Sequence, residues 1–413
     1  MTAWPELALA AWEDTRDTLH MWTQVVGKVR LALEPALNHT WQAPLYVSAR
    51  GLTTSLMPYG GRGVEMEFDF HGQVLDIRTT DGAERQVRLE PRSVADFYAE
   101  TMARLGELGM PVVIMPRPVE VQVAIPFSED DTHSSYDAEY SHRFWLSLVH
   151  AKRVFTEFRS RLIGKASTVH FFLGSFDLAV TRFSGRAAPL YPGAAPNLAP
   201  WVMQEAYSQE VSSCGYWPGG ADEGTFYSYA YPEPEGFRDW PVEPTGAFYD
   251  PELDEFLLPY ELVRKAADPD VLLLAFLQST YEAAAELAGW NRTELEAPRP
   301  GPTPSLDLRA PNPAVKVSDV PEKQGFEATL DGALAARADY LLAGDLIIFA
   351  HTEVDPGFDG RGVAAALVRH SLDEARRRGL TVIPLCPFYH GWIQRHPQYQ
   401  DVLYEPPPSR IRS

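Results

Sequence analysis

Apolar residues recur at helical spacing along residues 12–33, with Trp12, Leu19, Trp22, Val26 and Leu33 on one face, and again along residues 144–163. Both stretches are expected to be helices that pack one face against a core. Each precedes a polar-aromatic turn and a strand-like run: Asn38 to Gln42 before residues 44–55, and Thr168 to Phe172 before residues 174–184. β-prone stretches follow in both places, at 64–70 and 74–79, and at 225–231 and 255–258. A helix then closes each series, at 93–108, opening with the capping pair Ser93 and Asp96, and at 269–288. The order α-β-β-β-α therefore occurs twice. This predicts an α+β fold built from two related halves, residues 8–110 and 140–290, the second carrying an insertion at 186–223 rich in Pro, Gly and Tyr.

The pattern changes after residue 296. Alternate prolines from Pro298 to Pro304, and again at Pro311 and Pro313, remove backbone donors and favour extended chain, so 297–313 is expected to be a semi-stiff tether. It separates a domain at 1–296 from a smaller α/β domain at 314–413. In the latter, Leu346 to Ala350 is a β-prone run that leads through Gly360 and Gly362 into a helix marked by Val363, Leu367, Val368, Leu372 and Ala375. Glycines at such a turn let backbone approach a ligand, and the first N–H groups of the helix, from Arg361 through Gly362, Val363, Ala364 and Ala365, favour an anion. No Gly-Lys-Ser/Thr follows, which argues against a nucleoside triphosphate loop. A second strand over 380–388 and a short helical segment over 389–400 come after it.

This C-terminal segment resembles the GNAT-type N-acetyltransferases, and among them a very small subgroup, over about residues 324–403. The likeness is carried by His351-Thr-Glu-Val354, the glycine turn, the helix ending Ala375-Arg-Arg-Arg-Gly379, the strand Val382-Ile-Pro-Leu-Cys-Pro387 and Arg395-His-Pro-Gln-Tyr399. The resemblance implies acetyl-coenzyme A as co-substrate, its pyrophosphate on the turn and its pantetheine arm paired like an extra strand between two splayed strands. Val354, Gly360, Arg361, Gly362, Val363, Ala364 and Ala365 are then the expected cofactor contacts. The family turn usually begins with Arg or Gln, whereas Asp359 stands here, and Arg361 is expected to compensate that charge.

Transfer to an amine requires a base. His351 and Glu353 are two apart on the strand entering the turn and share a face, Glu353 being the first candidate and His351 the second. Cys386, between two prolines, either accepts the acetyl group transiently or lines the pantetheine slot. Tyr389 and Tyr399 are candidates for the acid that protonates the leaving thiolate. The run Arg376 to Arg378 complements the helix dipole.

Residues 1–296 resemble a bacterial group known only as a domain of unknown function, through Phe171-Phe-Leu-Gly-Ser-Phe-Asp-Leu-Ala-Val-Thr-Arg-Phe183 and Tyr229-Ala-Tyr-Pro-Glu-Pro234. No chemistry comes with that likeness. Six histidines, His39, His71, His133, His142, His150 and His170, lack metal-ligand spacing, so no metal is expected. The polar set Lys165, His170, Asp177, Thr181 and Arg182 clusters near one strand, but the odd spacing of Asp177 and Arg182 directs them to opposite faces. Residues 214–220 are expected to form an aromatic loop or turn. If the halves are related, Trp41 and Phe172 lie near their axis and a ligand would sit between them.

Composition narrows the partners. Of 413 residues, 45% are hydrophobic and 12% aromatic, enough for packed cores. The formal net charge of −20 divides as −18 over 1–309 and −2 over 310–413, which argues against sequence-independent nucleic-acid binding. Two cysteines, Cys214 and Cys386, exclude a disulfide framework. With no signal-like N-terminus and no long apolar run, a cytoplasmic protein without membrane association is expected. The expected activity is acetyl transfer to an unidentified amine; a non-catalytic acyl-coenzyme A-binding or regulatory module is the alternative, and catalysis by the N-terminal domain at an inter-repeat cleft is a third reading.

Overall fold

The computed structural model describes residues 4–219, 222–297, 314–358 and 361–404. Contacts divide the chain after Ala297 into two compact units. The proline-rich stretch from 298 to 313 lies outside the described residues.

The first unit starts with α1 (Glu13–Leu33), whose apolar stripe holds Leu19, Trp22, Val25, Val26 and Val29 fully buried. An antiparallel sheet follows: β1 (Tyr46–Val47), β2 (Gly51–Thr53), β3 (Met57–Tyr59), β4 (Arg62–Asp69), β5 (Val74–Thr79) and β6 (Glu84–Arg88). Its order is β1-β2-β4-β5-β6, with β3 also on β4. The expected single strand at 44–55 is two short ones, because Ser48 Oγ accepts from the Arg50 and Gly51 amides and turns the chain between them. β6 went unpredicted; its alternating Glu84, Gln86 and Arg88 leave little apolar pattern on a sheet edge. α2 (Val94–Glu107) is capped as expected, Ser93 Oγ accepting from the Asp96 amide.

α3 (Ala138–Ser160) begins six residues before its first expected turn, because Asp137 caps it through the Tyr140 amide. The second sheet contains β7 (His170–Phe172), β8 (Asp177–Ala187), β9 (Gln209–Trp217), β10 (Thr225–Tyr231), β11 (Phe248–Asp250) and β12 (Glu255–Pro259), in the order β11-β12-β10-β9-β8-β7. α4 (Pro200–Ala206) interrupts β8 and β9; α5 (Tyr260–Arg264), α6 (Pro269–Leu287) and α7 (Arg292–Leu295) complete the unit. The supposed insertion therefore contains a central strand. β9 was hidden because Ser212, Ser213 and Gly215 break its apolar pattern, and residues 214–217 are strand, not loop. Gly215 is required there: a Cβ would stand 2.3 Å from the Tyr227 hydroxyl on the neighbouring strand.

With β3 and β11 set aside, each half runs helix, five antiparallel strands, helix (α1, β1-β2-β4-β5-β6, α2, and α3, β7-β8-β9-β10-β12, α6), not the three strands expected. The strands next to the first helices meet: Leu45 and Phe171 exchange backbone hydrogen bonds, each 2.9 Å. β3, α4, α5, β11 and α7 have no counterpart in the other half, so the expected duplication is not established by the order of elements.

The second unit is a five-stranded sheet, β13 (Lys316–Val320), β14 (Gly325–Leu330), β15 (Ala333–Ala343), β16 (Leu346–Val354) and β17 (Thr381–Pro384), in sequential order. All neighbours are antiparallel except β16 and β17, which are parallel and joined through α8 (Val363–Arg377). α8 buries Val363, Leu367, Val368, Leu372 and Ala375, and α9 (Pro387–Arg395) follows β17. The fold is α+β overall, with helices and three sheets.

Candidate active site

The site in the second unit grows from one irregularity. β15 and β16 pair regularly from Ala343–Leu346 to Tyr340–Phe349, but the next pair is Asp339–His351, so Ala350 is an extra residue in β16. Such a bulge bends its strand and raises its twist. The parallel pairing with β17 ends at the same point, with Phe349 opposite Pro384. Beyond it β16 continues from Ala350 to Val354, paired with β15 alone, while β17 has ended at Pro384. The apex is closed by the Cys386 amide, which donates to the Phe349 carbonyl at 2.8 Å.

The bulge also fixes which side chains face inward. Thr352 is buried, and its hydroxyl lies 3.3 Å from the Cys386 thiol, itself 4% exposed. His351 and Glu353 share the opposite, exposed face, as their spacing requires. Across β15 they are registered with Asp339 and Arg337. Val354 pairs with Ala336 at the end of the strand.

Gly362 caps α8 in the left-handed region, with φ 74° and ψ 16°. A side chain there is strained, which explains the glycine. The first bond of the helix runs from the Ala366 amide to the Gly362 carbonyl at 3.2 Å, so the amides of Val363, Ala364 and Ala365 precede the intrahelical ladder. The Arg361 amide, expected among the donors, is turned back onto the Phe358 carbonyl at 3.3 Å. The Arg361 side chain is exposed and pairs with Asp331 at 2.8 Å. Gly360 and Asp359 lie outside the described residues.

Tyr389 sits apart from the open edge. Its ring is stacked on Phe349 with centroids 4.1 Å apart, it is fully buried, and its hydroxyl shares a 2.5 Å hydrogen bond with Ser371 of α8. Burial raises its pKa well above the usual tyrosine value. The Tyr399 hydroxyl donates to Asp373 at 3.0 Å. Arg376, Arg377 and Arg378 are engaged at the far end of α8 by Asp401, Glu374 and Asp319. Thr352 was missed at the sequence level: a threonine flanked by two ionisable residues carries no signal until its strand is paired.

In the first unit His71 and His142 meet with ring centroids 5.0 Å apart, but among the described residues no three His, Cys, Asp or Glu side chains converge to hold a metal. His133 pairs with Asp130 at 2.7 Å, and His39 Nε2 lies 2.6 Å from Lys165 Nζ. Asp177 and Arg182 do face opposite ways. The Arg182 guanidinium is sandwiched between the rings of Phe158 and Tyr281, 3.5 and 4.2 Å from their centroids. Among the described residues no helix is long and apolar enough to cross a membrane.

Residues 325–402 match the model of the GCN5-related N-acetyl-transferase family. A GCN5-like protein from Staphylococcus aureus, solved in solution by NMR, is 20% identical, with a TM-score of 0.20; the match covers 24% of this chain and 99% of that one. No curated protein matches the chain. Residues 4–297 match the model of a family of unknown function, DUF5996. The chain therefore belongs to the DUF5996 family, and carries a GCN5-related N-acetyltransferase domain after it.

Proposed function

We propose that the C-terminal domain binds acetyl-coenzyme A between β16 and β17 and transfers its acetyl group to an amine. One observation carries this reading: β16 runs on past the Ala350 bulge without β17 beside it, next to a helix whose first amides have no intrahelical partner. An extended pantetheine arm would pair with the open backbone edge as an added strand does. The amides of Val363, Ala364 and Ala365 and the helix dipole would hold the pyrophosphate.

Chemistry then needs the amine deprotonated as it attacks the thioester carbonyl, and the thiolate released as the amide forms. Glu353 is the proposed base: it is solvent-exposed, three residues past Ala350, and can pass the ammonium proton to water. His351 on the same face is the second candidate. Cys386 and Thr352 are proposed to line the slot at its apex, with direct transfer to the amine and no acetylated cysteine.

Titration calorimetry of the full chain with acetyl-coenzyme A tests the proposal. Saturable binding is expected, and a ligand at 100 times its Kd stabilises the folded domain by about 2.7 kcal/mol. No heat and no thermal shift at millimolar acetyl-coenzyme A would overturn it.

A further inference from the structure

The DUF5996 unit holds a cavity of about 370 Å³ that both of its halves line: Lys28 and Trp41 come from the first, Phe172, Asp177 and Tyr227 from the second. It is distinct from the acetyltransferase cleft. Trp41, Phe172, Tyr207, Tyr227 and Tyr229 are among its walls, and α4, seven residues none of which is buried, contributes Trp201 and Met203. Trp201 on that helix lines the cavity yet is 59% exposed. An apolar face over a cavity with no core behind it is the usual construction of a small-molecule site.

Two ionisable side chains in this cavity feel each other's charge yet make no hydrogen bond to a described residue. Lys28, on α1, is only 6% exposed, and its ammonium makes no hydrogen bond, and no ion pair within 4.0 Å, among the described residues. Burial lowers its pKa. The Glu120 carboxylate likewise accepts no hydrogen bond from a described residue. Burial, and next the charge of Asp177, push its pKa up to about 7.

The backbone holds Glu120 there at a cost. Its φ is 59°, in the left-handed region that a glutamate rarely adopts, and its amide is tied to the Pro196 carbonyl at 2.7 Å. Its carboxylate lies over Gly174, where a Cβ would come within 2.1 Å of Oε1. A strained backbone and a side-chain-free platform thus aim one carboxylate into the cavity, a signature of a functional site. Asp177 stands beside it, 4% exposed, accepting from the Ser175 and Tyr227 hydroxyls.

Lys28 and Glu120 line one cavity without reaching each other. A desolvated lysine and glutamate without hydrogen-bond partners are costly, and a molecule with an acceptor for one and a donor for the other relieves both. We infer that this cavity binds a small zwitterion, an α-amino acid or close derivative with an aromatic or apolar side chain, its carboxylate on Lys28, its ammonium on Glu120 and Asp177, and its side chain against Trp41, Phe172 and Trp201. The acetyl-transfer reading is not needed for this.

The test is calorimetry on the full chain with L-phenylalanine and L-tryptophan, and with 3-phenylpropionate and phenethylamine as the same body carrying one charge each. The amino acids are expected to bind at least ~tenfold more tightly than either single-charge analogue, since each analogue lacks one of the charge-assisted hydrogen bonds. Lys28→Met is expected to remove the advantage of phenylalanine over phenethylamine, and Glu120→Gln its advantage over phenylpropionate. Gly174→Ala keeps both charges but displaces the carboxylate, and is expected to act like Glu120→Gln. Absence of binding by both amino acids at millimolar concentration, or analogues that bind as tightly as the amino acids to the unaltered chain, overturns the inference without any variant. Folded variants that weaken all the probes equally overturn it as well.

Discussion

The Thr352 hydroxyl and the Cys386 thiol lie 3.3 Å apart at the point where β16 and β17 part, both buried, one from each strand. Both side chains lie on the inner face of β16, while His351 and Glu353 face solvent on the other side. Slot and proposed base are thereby assigned to different faces of one strand. Replacing Cys386 by Ala is expected to weaken acetyl-coenzyme A binding a few-fold through lost packing and to leave turnover within a few-fold. Intact mass after mixing with acetyl-coenzyme A and no acceptor is expected to show no adduct on Cys386; an acetyl group there would make the route covalent.

Glu353→Gln is expected to reduce kcat by about 10²–10⁴, the usual contribution of a positioned base, with the Kd for acetyl-coenzyme A unchanged. A normal kcat in this variant, with His351→Gln inactive, would move the base to His351.

Gly362→Asp combines a left-handed backbone, costing about 1–2 kcal/mol for a side chain, with a carboxylate beside the proposed pyrophosphate site. Calorimetry is expected to show loss of acetyl-coenzyme A binding while circular dichroism shows the helix content retained. Retained affinity would place the phosphates elsewhere.

Tyr389→Phe removes the hydroxyl that bonds Ser371 and keeps the ring on Phe349. A destabilisation of about 1 kcal/mol is expected in denaturant unfolding, with turnover little changed. A large loss of turnover at unchanged stability would instead give the hydroxyl a part in thiolate protonation.

Burial first, and Asp177 second, raise Glu120 and Glu255 to about 7, above the ordinary glutamate value. Between their unfolded values and 7 the folded state holds the extra protons, so their contribution to stability falls as pH rises through that window. His20 and His170, lowered by burial to about 4 and about 3, act with the opposite sign in part of that range. The difference between Glu120→Gln and the parent chain cancels the histidines. Glu120→Gln is therefore expected to gain stability relative to the parent from about pH 4.5 to pH 7 and to level off above, read from the melting of the first unit.

Residues near one another in sequence determined much of this molecule. The 3.6 period placed α1 and α6 to within a residue, the Ser93 and Asp96 pair marked the start of α2, and alternation gave β5 and β10 with their observed ends. Gly362 was readable because a left-handed cap leaves few choices besides glycine. Tertiary structure decided what depends on strand partners. The bulge at Ala350 exists only as a mismatch between β15 and β16, and Thr352 meets Cys386 only because α8 carries the chain back to lay β17 parallel to β16. β9 looked like loop because its small residues are buried between β8 and β10 and beneath Tyr227, an environment no local window contains. Lys28 and Glu120 are unremarkable as letters. Their meaning comes from burial without partners, and desolvation is a property of the folded interior rather than of the chain.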